Sequence, residues 1–288
     1  MEQLQQSEKI KRLLEIRDKG AEFATLEDIP LTYDIIIQFF NLNKKIQEMI
    51  KDLDFKLVIN LEGIGANTFI ISRGSAEYKQ GKLDDADVIL TTDLTTIAQI
   101  LLGIKDPIIA YFRGEIEVDG DLLTMVQYQE LLELSYTELK IIDVDKRELI
   151  LEPSELKMLL EVYKGIIKPD DPSIMVSFLK ILTAFVNNNS EALEEIEDQE
   201  MRIQLKVRDI ESFLIEITDG KMNWSEGAVE DASVTIEMPM DIGMDMIQSG
   251  DAVSAYMAGD ISVEGNLQEA LAFQEVLQIF LDTIEMTL

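Results

Sequence analysis

The sequence contains no cysteine and no histidine. Without cysteine there is no disulfide framework, so a cytoplasmic protein is expected. The two absences together exclude Ser-His-Asp and Cys-His machinery, an imidazole base near neutral pH, and a His/Cys zinc site. Carboxylates, lysine, tyrosine and oxygen-ligated Mg²⁺ or Ca²⁺ are the chemistry that remains. Positive charge is scarce too, with 25 Lys and Arg against 56 Asp and Glu, a net charge of −31. Such a chain does not suit nucleic acid, whose phosphates need cations. It does not suit stable anchoring on an anionic membrane either. No stretch approaches the ~20 consecutive apolar residues of a membrane span. Met1 to Leu4 lack the basic and apolar regions of a secretory signal. HExxH, GxSxG, Walker and GxGxxG patterns are missing. Asp119-Gly120-Asp121 and Asp170-Asp171 lack the spacing of a Ca²⁺ loop. The expectation is a protein that is not an enzyme and holds no metal or cofactor.

What the chain has is itself, twice. Gly74, Gly81, Asp85, Ala86 and Val88 recur 146 positions later as Gly220, Gly227, Asp231, Ala232 and Val234. One residue is lost near Gly103, and the offset becomes 145. Ala110, Tyr111, Gly114, Ile116, Val118 and Gly120 then meet Ala255, Tyr256, Gly259, Ile261, Val263 and Gly265. A period this long is a domain, whereas solenoid units run roughly 20–50 residues. The expected domains are residues 1–145 and 146–288, joined near 141–153.

Each half has the same succession of periods. Helical stripes predict helices over 7–19 and 154–164, ended by Gly20 and Gly165, with Ser154 as a cap. A long helix follows at 31–52. Its counterpart starts after Pro172, with Ser173 as a cap, and breaks at Asn187-Asn188-Asn189. The period then becomes two: Phe55, Leu57, Ile59 and Leu61 face inward, with Lys56, Val58 and Asn60 outward. Four antiparallel strands are expected, then a helical stretch, a short strand (114–120 and 259–265) and a closing helix (121–139 and 266–284). The fold class is α+β: two tandem copies of a five-stranded, mainly antiparallel sheet covered on one face by helices.

Three stretches carry a family likeness. They are the run Gly74 to Gly81 to Ala86-Asp87-Val88 with its counterpart; Gly103-Ile104-Lys105-Asp106-Pro107 with Ala110-Tyr111-Phe112-Arg113-Gly114; and Ile116 to Asp121 with Ile261 to Asn266. In order and wording they resemble the sterol carrier protein type two family, over roughly 31–139 and 172–284. The resemblance implies an apolar cavity between sheet and helices, and binding of fatty acyl chains, sterols or other lipids. The chain departs from the family in carrying Glu115, Glu117 and Asp260 where lysines are common, and in ending without a peroxisomal signal.

Methionine supports a cavity, because its flexible thioether suits surfaces that adapt to apolar ligands. The second half holds Met222, Met238, Met240, Met244, Met246, Met257 and Met286. Together with the resemblance, this places an apolar guest between the sheet and the last two helices of each half. In the first half the expected ligand-binding residues are Phe69, Ile71, Leu90, Ile97, Leu101, Tyr111, Phe112, Met125 and Tyr128. In the second they are Phe213, Ile215, Trp224, Met244, Ile247, Tyr256, Met257, Phe273 and Leu277. Trp224, the only tryptophan, would report directly on the guest. The expected function is non-catalytic binding, transfer or presentation of a fatty acyl, isoprenoid or sterol-like lipid. The alternative is an interaction scaffold whose pockets are filled in. Closed pairing of like units predicts an internal pseudo-dimer or a homo-oligomer.

Overall fold

The structure, a computed structural model, describes residues 7–140, 151–167, 173–208, 210–249 and 252–285. The chain divides into two compact units between Pro153 and Ser154. Most of the expected junction, 141–153, and the Asp170-Asp171 pair lie outside the described residues.

The first unit runs α1 (Glu8–Lys19), a 3₁₀ turn (Ala21–Phe23), α2 (Asp28–Leu42), α3 (Lys44–Ile50), β1 (Asp54–Leu61), β2 (Gly65–Ser72), β3 (Ser75–Gln80), β4 (Val88–Thr92), α4 (Leu94–Leu101), α5 (Pro107–Phe112), β5 (Glu117–Gly120) and α6 (Leu122–Leu139). The second repeats it with α7 (Pro153–Tyr163), α8 (Ser173–Val186), α9 (Ser190–Ile196), β6 (Met201–Val207), β7 (Ser212–Thr218), β8 (Lys221–Glu226), β9 (Val234–Met238), α10 (Met240–Ser249), α11 (Ala252–Ala258), β10 (Ser262–Gly265) and α12 (Leu267–Glu285).

Each unit contains one five-stranded sheet, in the orders β3-β2-β1-β4-β5 and β10-β9-β6-β7-β8. Three pairings in each are antiparallel, but β4 runs parallel to β1, and β9 to β6. The expectation of four successive antiparallel strands is thus corrected. A parallel partner requires a crossover, and residues 81–87 provide it on the face away from the helices. Asp87 N–H donates to Lys56 O at 2.9 Å, and Thr68 Oγ1 donates to Gly81 O at 2.7 Å. In the second unit Gln204 Nε2 donates to Phe213 O and Gly227 O, and Gln204 Oε1 accepts from Val229 N–H at 2.7 Å. This crossing segment explains why Val58, expected outward, is fully buried. It also fixes a residue type. A Cβ on Gly120 would stand 2.3 Å from Asp87 O, and one on Gly265 2.4 Å from Ser233 O. Only glycine lets the last strand close against the crossover.

The long helix expected over 31–52 is two helices. Asn43 is extended, and its side chain accepts from the Lys45 and Ile46 N–H groups. Asn189 does the same for α9 through Ala192 N–H. Two residues earlier, a second asparagine ties each helix to the outermost strand. Asn41 Nδ2 donates to Ala76 O at 2.9 Å, and its Oδ1 accepts from Ala76 N–H at 3.0 Å. Asn187 repeats both bonds with Met222, at 2.8 and 2.9 Å. Ser154 does not cap α7, which opens with Pro153 at its first position, where the missing N–H is harmless. The Asp119-Gly120-Asp121 run is structural, with Asp121 capping α6 through Leu123 and Thr124.

The asparagine tie predicts a stability effect. Asn187→Ala should cost about 1–3 kcal/mol, because two bonds to strand backbone are lost together. Asn189→Ala should cost about 1 kcal/mol, as an N-cap. Urea unfolding followed by circular dichroism measures both, and an Asn187→Ala cost below that of Asn189→Ala would contradict the assignment.

Candidate functional site

In the second unit a cavity of about 320 Å³ lies between the sheet and helices α8, α10, α11 and α12. Its wall is apolar: Met175, Phe178 and Leu179 from α8, Leu205, Ile215, Ile236 and Met238 from the strands, Met246 and Ile247 from α10, and Phe273, Leu277 and Leu281 from α12. The polar side chains in the lining are Tyr256, Gln274 and Gln278, and none is charged. Tyr256 is 42% exposed and Met257 79%; Val253, Leu267 and Leu271 are also exposed. Apolar side chains of α11 and α12 thus form a mouth open to solvent.

Among the described residues of the first unit, the layer between sheet and helices is nearly closed. Its matching void is about 20 Å³, room for about one water. The correction to the expectation of one cavity per copy has a plain cause in side-chain volume. Through the repeat offsets, Tyr33, Phe69, Ile97, Met125 and Tyr136 correspond to Leu179, Ile215, Gly243, Ala270 and Leu281. All five of these second-copy residues line the cavity, and each is smaller than its counterpart. In the first unit the aromatic rings fill the layer. Phe69 packs on Tyr128 at 4.8 Å and Phe40 at 5.6 Å, and Tyr33 stacks on Tyr78 at 4.8 Å. Two positions run the other way. Thr32 and Ser135 become Phe178 and Phe280, whose rings meet at 6.0 Å, with Phe185 against Phe280 at 5.2 Å.

The entrance differs in the same direction. Phe112 is 1% exposed where Met257 is 79%, and Ile108, Leu122 and Val126 are buried where Val253, Leu267 and Leu271 are exposed. In the first unit Asp93 caps α4, accepting from Thr95 and Thr96 N–H, and Asp106 caps α5, whose first residue is Pro107. At the position of Asp93 the second copy has Pro239, which offers no side-chain acceptor.

Of the residues expected in the second half, Ile215, Ile247, Tyr256, Met257, Phe273 and Leu277 line the cavity. Phe213, Trp224 and Met244 do not. Phe213 and Met244 are buried in packing, and Trp224 lies against Phe213 at 6.3 Å. Trp224 is therefore not a direct reporter. In the first half Leu90, Ile97, Leu101, Met125 and Tyr128 border the small void. Phe69, Ile71, Tyr111 and Phe112 are core. Sequence reasoning missed the α8 wall (Met175, Phe178, Leu179) and Ile236. The repeat alignment contained a signal for Ile236, which is the counterpart of Leu90, a position already selected in the first half.

The SCP-2 sterol transfer family model matches this chain at residues 36–133 and 179–278. No curated protein matches. Among solved structures, the sterol carrier protein domain 2 of Helicoverpa armigera is 23% identical, over 41% of this chain and 94% of its own, with a TM-score of 0.33. Sterol Carrier Protein 2 from Yarrowia lipolytica is 20% identical, over 39% and 93%, with a TM-score of 0.31. A sec-alkylsulfatase from Pseudomonas sp. is 12% identical, over 64% of this chain and 23% of its own, with a TM-score of 0.30.

Two outcomes follow from the filled and unfilled layers. Gly243→Ile with Ala270→Met gives the second copy the first copy's side chains at two of these five positions. A Cβ at 243 meets only movable methionine atoms, Met238 Sδ at 3.0 Å and Met175 Cε at 3.7 Å. Binding of the neutral dye Nile red should fall about tenfold or more, since the cavity volume is removed, while the melting temperature should not drop. In the first copy, burial pushes the Tyr33 and Tyr128 phenols well above their ordinary range. The unfolded chain therefore releases these protons first, from about pH 10. The contribution is whole below that pH and is lost as pH rises toward the folded-state values. Urea midpoints measured up to pH 11.5 should decline above pH 10, and Tyr33→Phe with Tyr128→Phe should flatten the decline.

Proposed function

The chain belongs to the SCP-2 sterol transfer family, with two of its domains in tandem, and from that premise we propose that it carries one apolar guest in its second domain. The guest is a fatty acyl, isoprenoid or sterol-like lipid. The role is non-catalytic: transfer, storage or presentation of the guest within the cytoplasm. The observation that carries this reading is the 320 Å³ chamber with an apolar wall. Its volume falls at the lower end of the roughly 300–1,000 Å³ of small-molecule sites. The solvent-open apolar mouth supports entry and exit, because contiguous exposed apolar surface marks a binding groove. A lining with no charged side chain and no histidine or cysteine supports binding without chemistry. Among the described residues no helix is long and apolar enough to cross a membrane.

The first domain takes the role foreseen in the alternative reading, a unit whose pocket is filled. It contributes a stable partner domain rather than a second site.

Native mass spectrometry of the freshly purified full chain should show at most one lipid per chain, and extraction should release an apolar small molecule. Two equivalent lipids per chain would contradict the assignment of roles, and failure to bind any of a fatty acid, an isoprenoid and a sterol would end it.

A further inference from the structure

We propose that the second-domain cavity selects guests with an uncharged polar head, an alcohol, ester or amide, over guests carrying a carboxylate. The proposal rests on the carrier reading above and specifies the class of ligand.

Among the described residues no cationic side chain lines the cavity. Among the cations of the same unit, Lys180 is paired with Glu155, Arg202 with Glu216 and Asp231, and Arg208 with Glu237. An ionised carboxylate placed inside would have no counter-charge, and a buried charge without a partner is strongly disfavoured. A head turned outward keeps its hydration but meets like charge at the rim. Asp245, Asp260, Glu264 and Glu275 are exposed, each within two residues of a lining side chain, in a chain of net charge −31.

What the wall does offer is an amide. Gln274 lines the cavity and has no hydrogen-bond partner among the described residues. Its counterpart shows that this helix position faces the interior of the layer. Gln129 is 2% exposed, borders the small void of the first copy, and neither its Oε1 nor its Nε2 is bonded. A buried amide left unpaired is costly. In the first copy the space beside it has room for a single water; in the second it opens on the chamber. An amide presents one acceptor and two donor hydrogens, which a hydroxyl, ester or amide head can match. Gln278 is less available, because its Nε2 donates to Asp282 at 2.6 Å.

The test uses the full chain loaded with Nile red, displaced by 1-dodecanol or by laurate below its micelle concentration. At pH 8 dodecanol should displace the dye at concentrations about tenfold lower than laurate, the ratio that one unit of raised carboxyl pKa in the bound state produces. The gap should narrow as pH falls toward 5, because laurate can then enter protonated. Gln274→Lys should narrow it at pH 8, by supplying a counter-charge. Laurate equal to or better than dodecanol at pH 8 in the wild-type chain would overturn the proposal while leaving the carrier reading intact. If neither compound displaces bound dye, the carrier reading fails and this proposal falls with it.

Discussion

A sheet and the helices that cover it must have the space between them filled, because protein interiors are packed to the density of organic crystals. In this chain the backbone frame of that space is built twice, from the same strand order and the same crossover. The two copies differ in the volume of the side chains projected into it. Tyr33, Phe69 and Tyr136 close the layer in one copy, while Leu179, Ile215 and Leu281 leave it hollow in the other. The site is thus made by subtraction. Bulk is withheld at five positions and added at two, Phe178 and Phe280.

The hollow has a cost that the first copy avoids. Each large apolar side chain left in water forgoes roughly 1.5–3 kcal/mol of burial, and the mouth exposes Val253, Tyr256, Met257, Leu267 and Leu271. An apolar guest bound there would restore part of that burial, and stability and loading would then be linked by mass action. The high negative charge answers the accompanying hazard, since like-charged molecules resist association through an exposed apolar patch.

Much of the architecture was legible before any coordinates. The repeat gave two units. Alternation along Phe55, Leu57, Ile59 and Leu61 gave the inward face of β1, and glycines gave the turns. Three things were not legible, each for a physical reason. Alternation records which face a side chain occupies and not which strand lies alongside, so the parallel pairing of β4 with β1 was hidden. The apolar stripe continues through Ile46 and Ile50, and this masked the helix break at Asn43. Whether a layer is full depends on summed volumes across α2, β2, α4 and α6, which no single stretch contains. The comparison of Tyr33 with Leu179, or Ile97 with Gly243, held part of that answer, but it becomes a volume argument only once those positions are known to face one another. Trp224 lies on β8 and is not in the wall of the chamber.

The paired asparagines have a consequence beyond holding a helix to a strand. β3 and β8 are terminal strands, and terminal strands present unpaired backbone groups that recruit strands from other molecules. Asn41 and Asn187 each occupy one outward-facing N–H and C=O pair with a side-chain amide, an imitation of a neighbouring peptide unit. An incoming chain would find that rung of the ladder taken. A chain that leaves one apolar mouth open to solvent thus has, on one edge of each sheet, a rung at which no foreign strand can pair.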